Sequence, residues 1–391
     1  MASRPKCPRV GNEDSIFSSF SSNQDLFDGL RQDLSGLQTS VGFGLALLKI
    51  QLCDAKFSTT FSNACLHAVR QTDLDDEDRV AYTFGSVFDR GCGVLKSFLD
   101  DPHGRIPQRK GEHIALCKLL TMLENTKDVN KALTIDHGQQ ISRTEWTIRL
   151  AHHFLSPLAV NPTFLIDSHS CDQRDRCPCC NEKIAGSFDD TSIGSKDGWH
   201  GYLDIVFGVE RFAAVKIAVE EPDSPGGENR SAVEVKAQDG LKSCRNQILA
   251  ETVVFSFLQK KYHSEYDNYL IPTIGISRQY VVFYFYDCVN DMLMETPPIR
   301  LLKNNKLIKS TILAVWLVLN YKYFCSGITK GMRDRNFTAD FFKHVGDCIQ
   351  IYRNDVDFAC GSASRAVEDF APWEDVRIKL ESGSISAEPT N

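Results

Sequence analysis

Residues 197–251, DGWHGYLDIVFGVERFAAVKIAVEEPDSPGGENRSAVEVKAQDGLKSCRNQILAE, decide how this chain reads. Three runs rich in Val, Ile, Phe and Tyr, at 202–207, 212–219 and 232–237, stand between clusters of Gly, Pro, Asn and Asp, the pattern of consecutive sheet strands. Ionisable residues interrupt these runs at Asp204, Glu234 and Lys236. Alternation along the third run puts Glu234 and Lys236 on one face and Val233 and Val235 on the other. A carboxylate and an ammonium are thereby fixed side by side. If its own strand brings Asp204 near, two carboxylates and the Val235 carbonyl make an oxygen-rich corner suited to Mg²⁺ or Mn²⁺. Such an ion lowers the pKa of a bound water, and Lys236 would orient that water for attack on a phosphate. The plain alternative is a half-exposed strand whose charges face solvent.

Asp204 followed by Glu234, Val235 and Lys236 resembles the first acid and the E-x-K of the PD-(D/E)XK nuclease-like superfamily. Gln247, on the next helix, resembles the glutamine of its RecB-like exonuclease members. The resemblance spans roughly residues 142–290. It implies an α/β fold with a restriction-endonuclease-like core of one helix, a strand meander, a helix and further strands. It also implies roles: Asp204 and Glu234 as Mg²⁺ or Mn²⁺ ligands, Lys236 positioning the water, and Gln247 supporting the site. Two features depart from the pattern. Leu203 stands where the motif has proline, and an extra strand over 212–219 lies between acids 30 residues apart. Asp223 follows Pro222 and is the other candidate for the first acid, although it sits in a turn. The expected function is metal-dependent hydrolysis of phosphodiesters, in DNA before RNA. The alternative is a catalytically inactive nuclease-like fold that serves as a nucleic-acid or protein-binding module.

The 391 residues are 42% hydrophobic and 24% charged, the balance of a globular chain. A formal charge of -7 gives no global field towards nucleic acid, so a polyanion would need a local basic surface. Arg300, Lys303, Lys306 and Lys309 recur every third residue, and Lys330, Arg333 and Arg335 form a second group. Solvated helix ends would read the same way. The apolar run TILAVWLVLNYKYF is shorter than a bilayer requires and reads as a buried helix, so no membrane partner is expected. Fourteen cysteines without a secretory leader read as reduced thiols or metal ligands of an intracellular protein, cytoplasmic or nuclear.

Four of those cysteines fall in SHSCDQRDRCPCCNEKIAG, residues 168–186. Cys177 and Cys180 have the C-x-x-C spacing that grips zinc, and Cys171 or His169 could complete a structural site in this insertion, 169–180. Free loop thiols are the alternative. Ahead of it, Ser142 and Glu145 form an S-x-x-E capping box, and His152 and His153 on the helix that follows read as surface or core histidines. Lys216 reads as a strand lysine.

The expected organisation is a flexible leader over 1–22, a helical N-terminal region over 23–141, the nuclease-like domain over 142–380 and a disordered tail over 381–391. Within the N-terminal region, Leu26, Leu30, Leu34, Leu37 and Val41 carry helical spacing. The run GFGLALLKIQL is expected to be a buried helix.

Overall fold

The computed structural model describes residues 13–39, 41–71, 82–102, 104–135, 141–169, 171–208, 213–217, 241–334 and 336–359. Glu234, Lys236, Asp223 and the C-terminal tail lie outside the described residues.

Eight longer helices are labelled α1 (Glu13–Ser22), α2 (Gln24–Thr39), α3 (Asp89–Asp100), α4 (Lys110–Glu124), α5 (Thr126–Leu133), α6 (Arg143–Arg149), α7 (Arg245–Tyr262) and α8 (Lys309–Leu319). The strands are β1 (Ala46–Cys53), β2 (Thr59–Thr60), β3 (Leu66–Arg70), β4 (Phe164–Asp167), β5 (Ser187–Asp189), β6 (Ser192–Gly194), β7 (Trp199–Tyr202) and β8 (Ile205–Phe207). They continue as β9 (Ala213–Ile217), β10 (Leu270–Ile276), β11 (Tyr280–Asp287), β12 (Met292–Glu295), β13 (Ile299–Arg300), β14 (Leu302–Lys303), β15 (Lys306–Leu307) and β16 (Asp357–Phe358).

Among the described residues the main sheet is ten-stranded, ordered β3-β1-β12-β11-β10-β9-β8-β4-β5, with β13 beside β11. A smaller sheet runs β16-β6-β7-β2. A two-stranded sheet, β14-β15, is a hairpin, and the architecture is mixed α/β, three sheets with helices against them among the described residues. β4, β8 and β9 pair antiparallel in that order, and β10, which follows α7 in the chain, lies parallel to β9.

β11 shows why the core forms where it does. All eight of its residues, YVVFYFYD, are buried, so its run of aromatic and β-branched side chains serves two faces at once. Phe283 meets Phe84 at 5.2 Å between ring centroids, and Phe285 meets Phe88 at 6.0 Å, on the side of the N-terminal helices. Tyr286 points the other way, to Phe257 of α7 at 6.1 Å. That helix packs against β10 and β11 on one side and against β6 and β7 on the other. Its residues 248–259 are all buried, as expected of a helix enclosed on every side.

Three expectations need correction. The run 42–52, read as a buried helix, supplies β1, which pairs antiparallel with β3 and β12. A short apolar run has no periodicity that separates a buried strand from a buried helix, and sheet pairing decides it. The N-terminal region is therefore not purely helical and shares the main sheet. Residues 13–22 of the expected leader form α1, whose Phe17 and Phe20 are buried against Phe98. Finally, the run 202–207 is not one strand. It breaks at Leu203 and Asp204, where the chain passes from the small sheet (β7) to the main sheet (β8). No helix among the described residues is long and apolar enough to cross a membrane.

Candidate metal centre

Ser142 caps α6 as its spacing predicts, its Oγ accepting the Glu145 N–H at 3.1 Å. The Glu145 carboxylate turns to Arg149 one turn on, so it belongs to the helix and not to a catalytic cluster. Beyond Arg149 the helix widens into a π-turn over Leu150–Leu155. Such wide turns are frequently found at functional sites. This one carries His152 and His153 side by side, ring centroids 4.7 Å apart, with His153 fully buried.

The Cys-rich loop lies against that turn. Nε2 of His153 is 3.3 Å from Sγ of Cys177 and 3.1 Å from Sγ of Cys179, and the two sulfurs are 3.3 Å apart. With Cys180 added, all four ligand atoms lie within 4.8 Å of one another. Around a tetrahedral zinc with Zn–S near 2.3 Å and Zn–N near 2.0 Å, ligand atoms stand roughly 3.4–3.8 Å apart. The cluster fits a zinc ion with little rearrangement. Cys177, Cys180 and His153 are buried and Cys179 partly so.

The electrostatics favour a metal cation. Cys177 accepts a hydrogen bond from Cys179 and sits against His153, which holds it well below the usual thiol value. Cys179, which keeps the shared proton, is pushed up, opposed by the nearby Arg149 guanidinium. Burial pushes Cys180 up to about 11. One thiolate, Cys177, and two thiols that keep their protons, Cys179 and Cys180, would become three thiolate ligands once a dication displaces those protons. His152 lies next door, where burial first and His153 second hold it below the usual histidine value. It groups with Cys180 and Glu182, its Nε2 3.9 Å from the Glu182 carboxylate.

Of the expected zinc set, Cys177 and Cys180 are in the cluster. Cys171, buried, is not among the four, and His169 is engaged elsewhere: its Nδ1 is 3.1 Å from Asp167 and its ring lies 4.3 Å from that of Tyr202. Cys179 and His153 take their places. The C-x-C-C run was a visible signal for Cys179. Nothing local marked His153, 24 residues before Cys177.

Of the expected Mg²⁺ corner, Asp204 and Gln247 lie among the described residues, and Glu234 and Lys236 do not. Asp204 is 4% exposed and ion-paired with Arg143 of α6. Its backbone carbonyl accepts the Asp167 N–H at 3.1 Å. β8 is flanked by β4 and β9, and β9 by β8 and β10, so both edges of each strand are taken. Gln247 donates from Nε2 to Oε1 of Glu251 at 3.0 Å, one turn along α7.

No family model, no curated protein and no solved structure matches this chain. Its function has to be read from the geometry.

Proposed function

We propose that this chain is a zinc-pinned α/β module that binds nucleic acid without cleaving it. The observation that carries this reading is the closed His-Cys cluster, beside an Asp204 already held by Arg143. The His153, Cys177, Cys179, Cys180 cluster offers four protein ligands, which leaves no open coordination position and marks a structural rather than a catalytic zinc. Asp204, the acid that a cleavage site needs at its metal, is buried and already engaged by Arg143. Zinc bound here would tie the Cys-rich loop to the π-turn and so to the end of α6.

The nucleic-acid partner is supported by a basic hairpin. β14 and β15 are joined by Asn304 and Asn305 at φ 53° and 58°, the tight turn with two left-handed residues that Asn favours. Lys303 and Lys306 are directly opposed across it and both exposed. Like charges so placed destabilise a hairpin, which makes sense if an anion separates them. The hairpin is anchored by the Leu307 N–H, which donates to Asn130 of α5 at 2.7 Å. Lys127 and Lys131 of that helix are also exposed. A phosphate backbone is the polyanion that such a lysine patch on an acidic protein suits. The test is binding of labelled DNA and RNA to the full chain across a salt series, beside a Lys303→Glu, Lys306→Glu variant. Tight binding with a steep salt slope that flattens in the variant supports the reading; a parent that binds neither polymer overturns it.

Hydrolysis is the second reading. It draws on the order helix, antiparallel strands, helix, parallel strand made by α6, β4, β8, β9, α7 and β10, and on the motif of Asp204, Glu234 and Lys236. It requires Arg143 to release Asp204 to a Mg²⁺ or Mn²⁺ ion. Cleavage of single-stranded or duplex DNA by the parent with either ion, lost in a folded Lys236→Ala protein, would replace the binding-module reading by this one.

A further inference from the structure

Glu295, the last residue of β12, is 3% exposed, and two arginines converge on it. Arg70, at the end of β3, donates from Nε to Oε1 at 2.8 Å. Arg245, the first residue of α7, donates from Nε to Oε2 at 2.9 Å and from Nη1 to the Ala68 carbonyl at 3.1 Å. One carboxylate balances one guanidinium. Among the described residues no second carboxylate pairs with either arginine, so the pair carries more positive than negative charge there, at a partly sheltered position where it is screened less than on an open surface. Most Nη groups of the pair have no acceptor among the described residues, although the side chains are 49% and 24% exposed and reachable from solvent.

Each arginine spends only its Nε donor on one carboxylate oxygen, Arg70 on Oε1 and Arg245 on Oε2, so bracing Glu295 leaves most of each fork unused. Arg245 moreover sits at the positive end of an 18-residue helix, a place that disfavours cations. A rigid pair of planar forks with donors to spare is what recognition of a tetrahedral oxyanion requires. Glu295 holds both guanidiniums in place beforehand, so binding need not order two long side chains.

We propose that Arg70 and Arg245, braced by Glu295, form a clamp for a phosphoryl group. The clamp deepens the nucleic-acid reading by naming a discrete phosphate contact apart from the lysine hairpin. The same chemistry would also take a free phosphate, and the test separates the two sources.

The experiment uses the full chain. Inorganic phosphate is titrated calorimetrically at constant ionic strength, and a labelled DNA oligonucleotide is titrated by fluorescence anisotropy. Both are repeated on Arg70→Gln, which leaves Arg245 on Glu295, with folding checked by urea unfolding. If that variant is unstable, Arg70→Lys keeps the charge and removes the fork, with the same expectation. The expected result is phosphate binding weakened about tenfold or more by the substitution. A parallel loss of DNA affinity identifies the occupant as a backbone phosphate; unchanged DNA affinity identifies it as a free phosphate. Phosphate binding that is absent from the parent, or equal in parent and variant, overturns the clamp. In that event DNA binding that still depends on Lys303 and Lys306 leaves the binding-module reading standing. Conversely, Arg70-dependent phosphate binding in a chain that binds no DNA or RNA keeps the clamp and rejects that reading.

Discussion

Sγ of Cys179 lies 3.1 Å from Nε2 of His153, 26 residues earlier in the chain. Neither residue belongs to a regular α-helix or strand: one sits in the Cys-rich loop and the other in a π-turn. Their meeting fixes the ligand set and so the first prediction. Purified protein is expected to hold about one zinc per chain, and a chelator should lower its melting temperature, because binding energy at a closed site is folding energy. His153→Ala and Cys179→Ser should lose the metal, whereas Cys171→Ser and His169→Ala should keep it. Atomic emission on the four variants decides between this set and the one that spacing alone suggested.

Asp204, buried, is ion-paired with Arg143. Arg143→Ala should destabilise the protein by about 2 kcal/mol in urea unfolding, since it removes a guanidinium partner from a buried carboxylate. Asp204→Asn keeps an acceptor for Arg143 and should lose less. Equal, negligible losses in both would show that the pair is open to solvent.

The lysine hairpin predicts opposite effects on stability and binding. Lys303→Glu converts a like-charge pair into an opposite-charge pair across the turn and should stabilise the hairpin by about 0.2–1 kcal/mol. The same change should weaken nucleic-acid binding. Thermal unfolding and anisotropy on one variant check both directions.

Asp291 predicts a pH dependence. Its carboxylate is pushed up to about 6, mainly by burial and also by Asp340, against the hydrogen bonds from Tyr286 Oη and the backbone N–H groups of Phe342 and Phe341. A carboxyl whose folded value is raised holds its proton more tightly when folded. The stability it contributes is full below pH 3.8 and is lost as pH rises through about 6. Asp291→Asn keeps the acceptor for Tyr286 and removes the titration. Urea midpoints should therefore favour the variant increasingly between about pH 4 and pH 6, and a constant difference across that window would contradict the assignment.

Several parts of the fold are legible in the residues alone. β10 and β11 announce themselves by dense runs of Ile, Val, Phe and Tyr, α7 by its length and lack of breakers, and α6 by the Ser142 capping box. Half of the zinc set is legible from C-x-x-C. His153 is not, because what selects it from the histidine pair is the widened turn after Arg149, and that turn is set by packing. The burial of Asp204 is not legible either. Alternation predicts a strand through 202–207, whereas Gly201, at φ 150°, precedes a handover from one sheet to the other. The basic spacing from Arg300 to Lys309 reads equally as a solvated helix end, and only the strand pairing of Lys303 with Lys306 shows that it is a hairpin.

By itself the sequence determined the α/β character, the strands within 199–217 and 270–287 and the cysteine-rich insertion, because periodicity, turn residues and capping act between near neighbours. Tertiary structure alone decided that β1 is a strand, that His153 and Cys179 close the metal cluster, that Arg143 pairs with Asp204 and that Arg70 and Arg245 share Glu295. Each of these outcomes depends on which distant segments pack together once the core excludes water, and no local pattern encodes that choice.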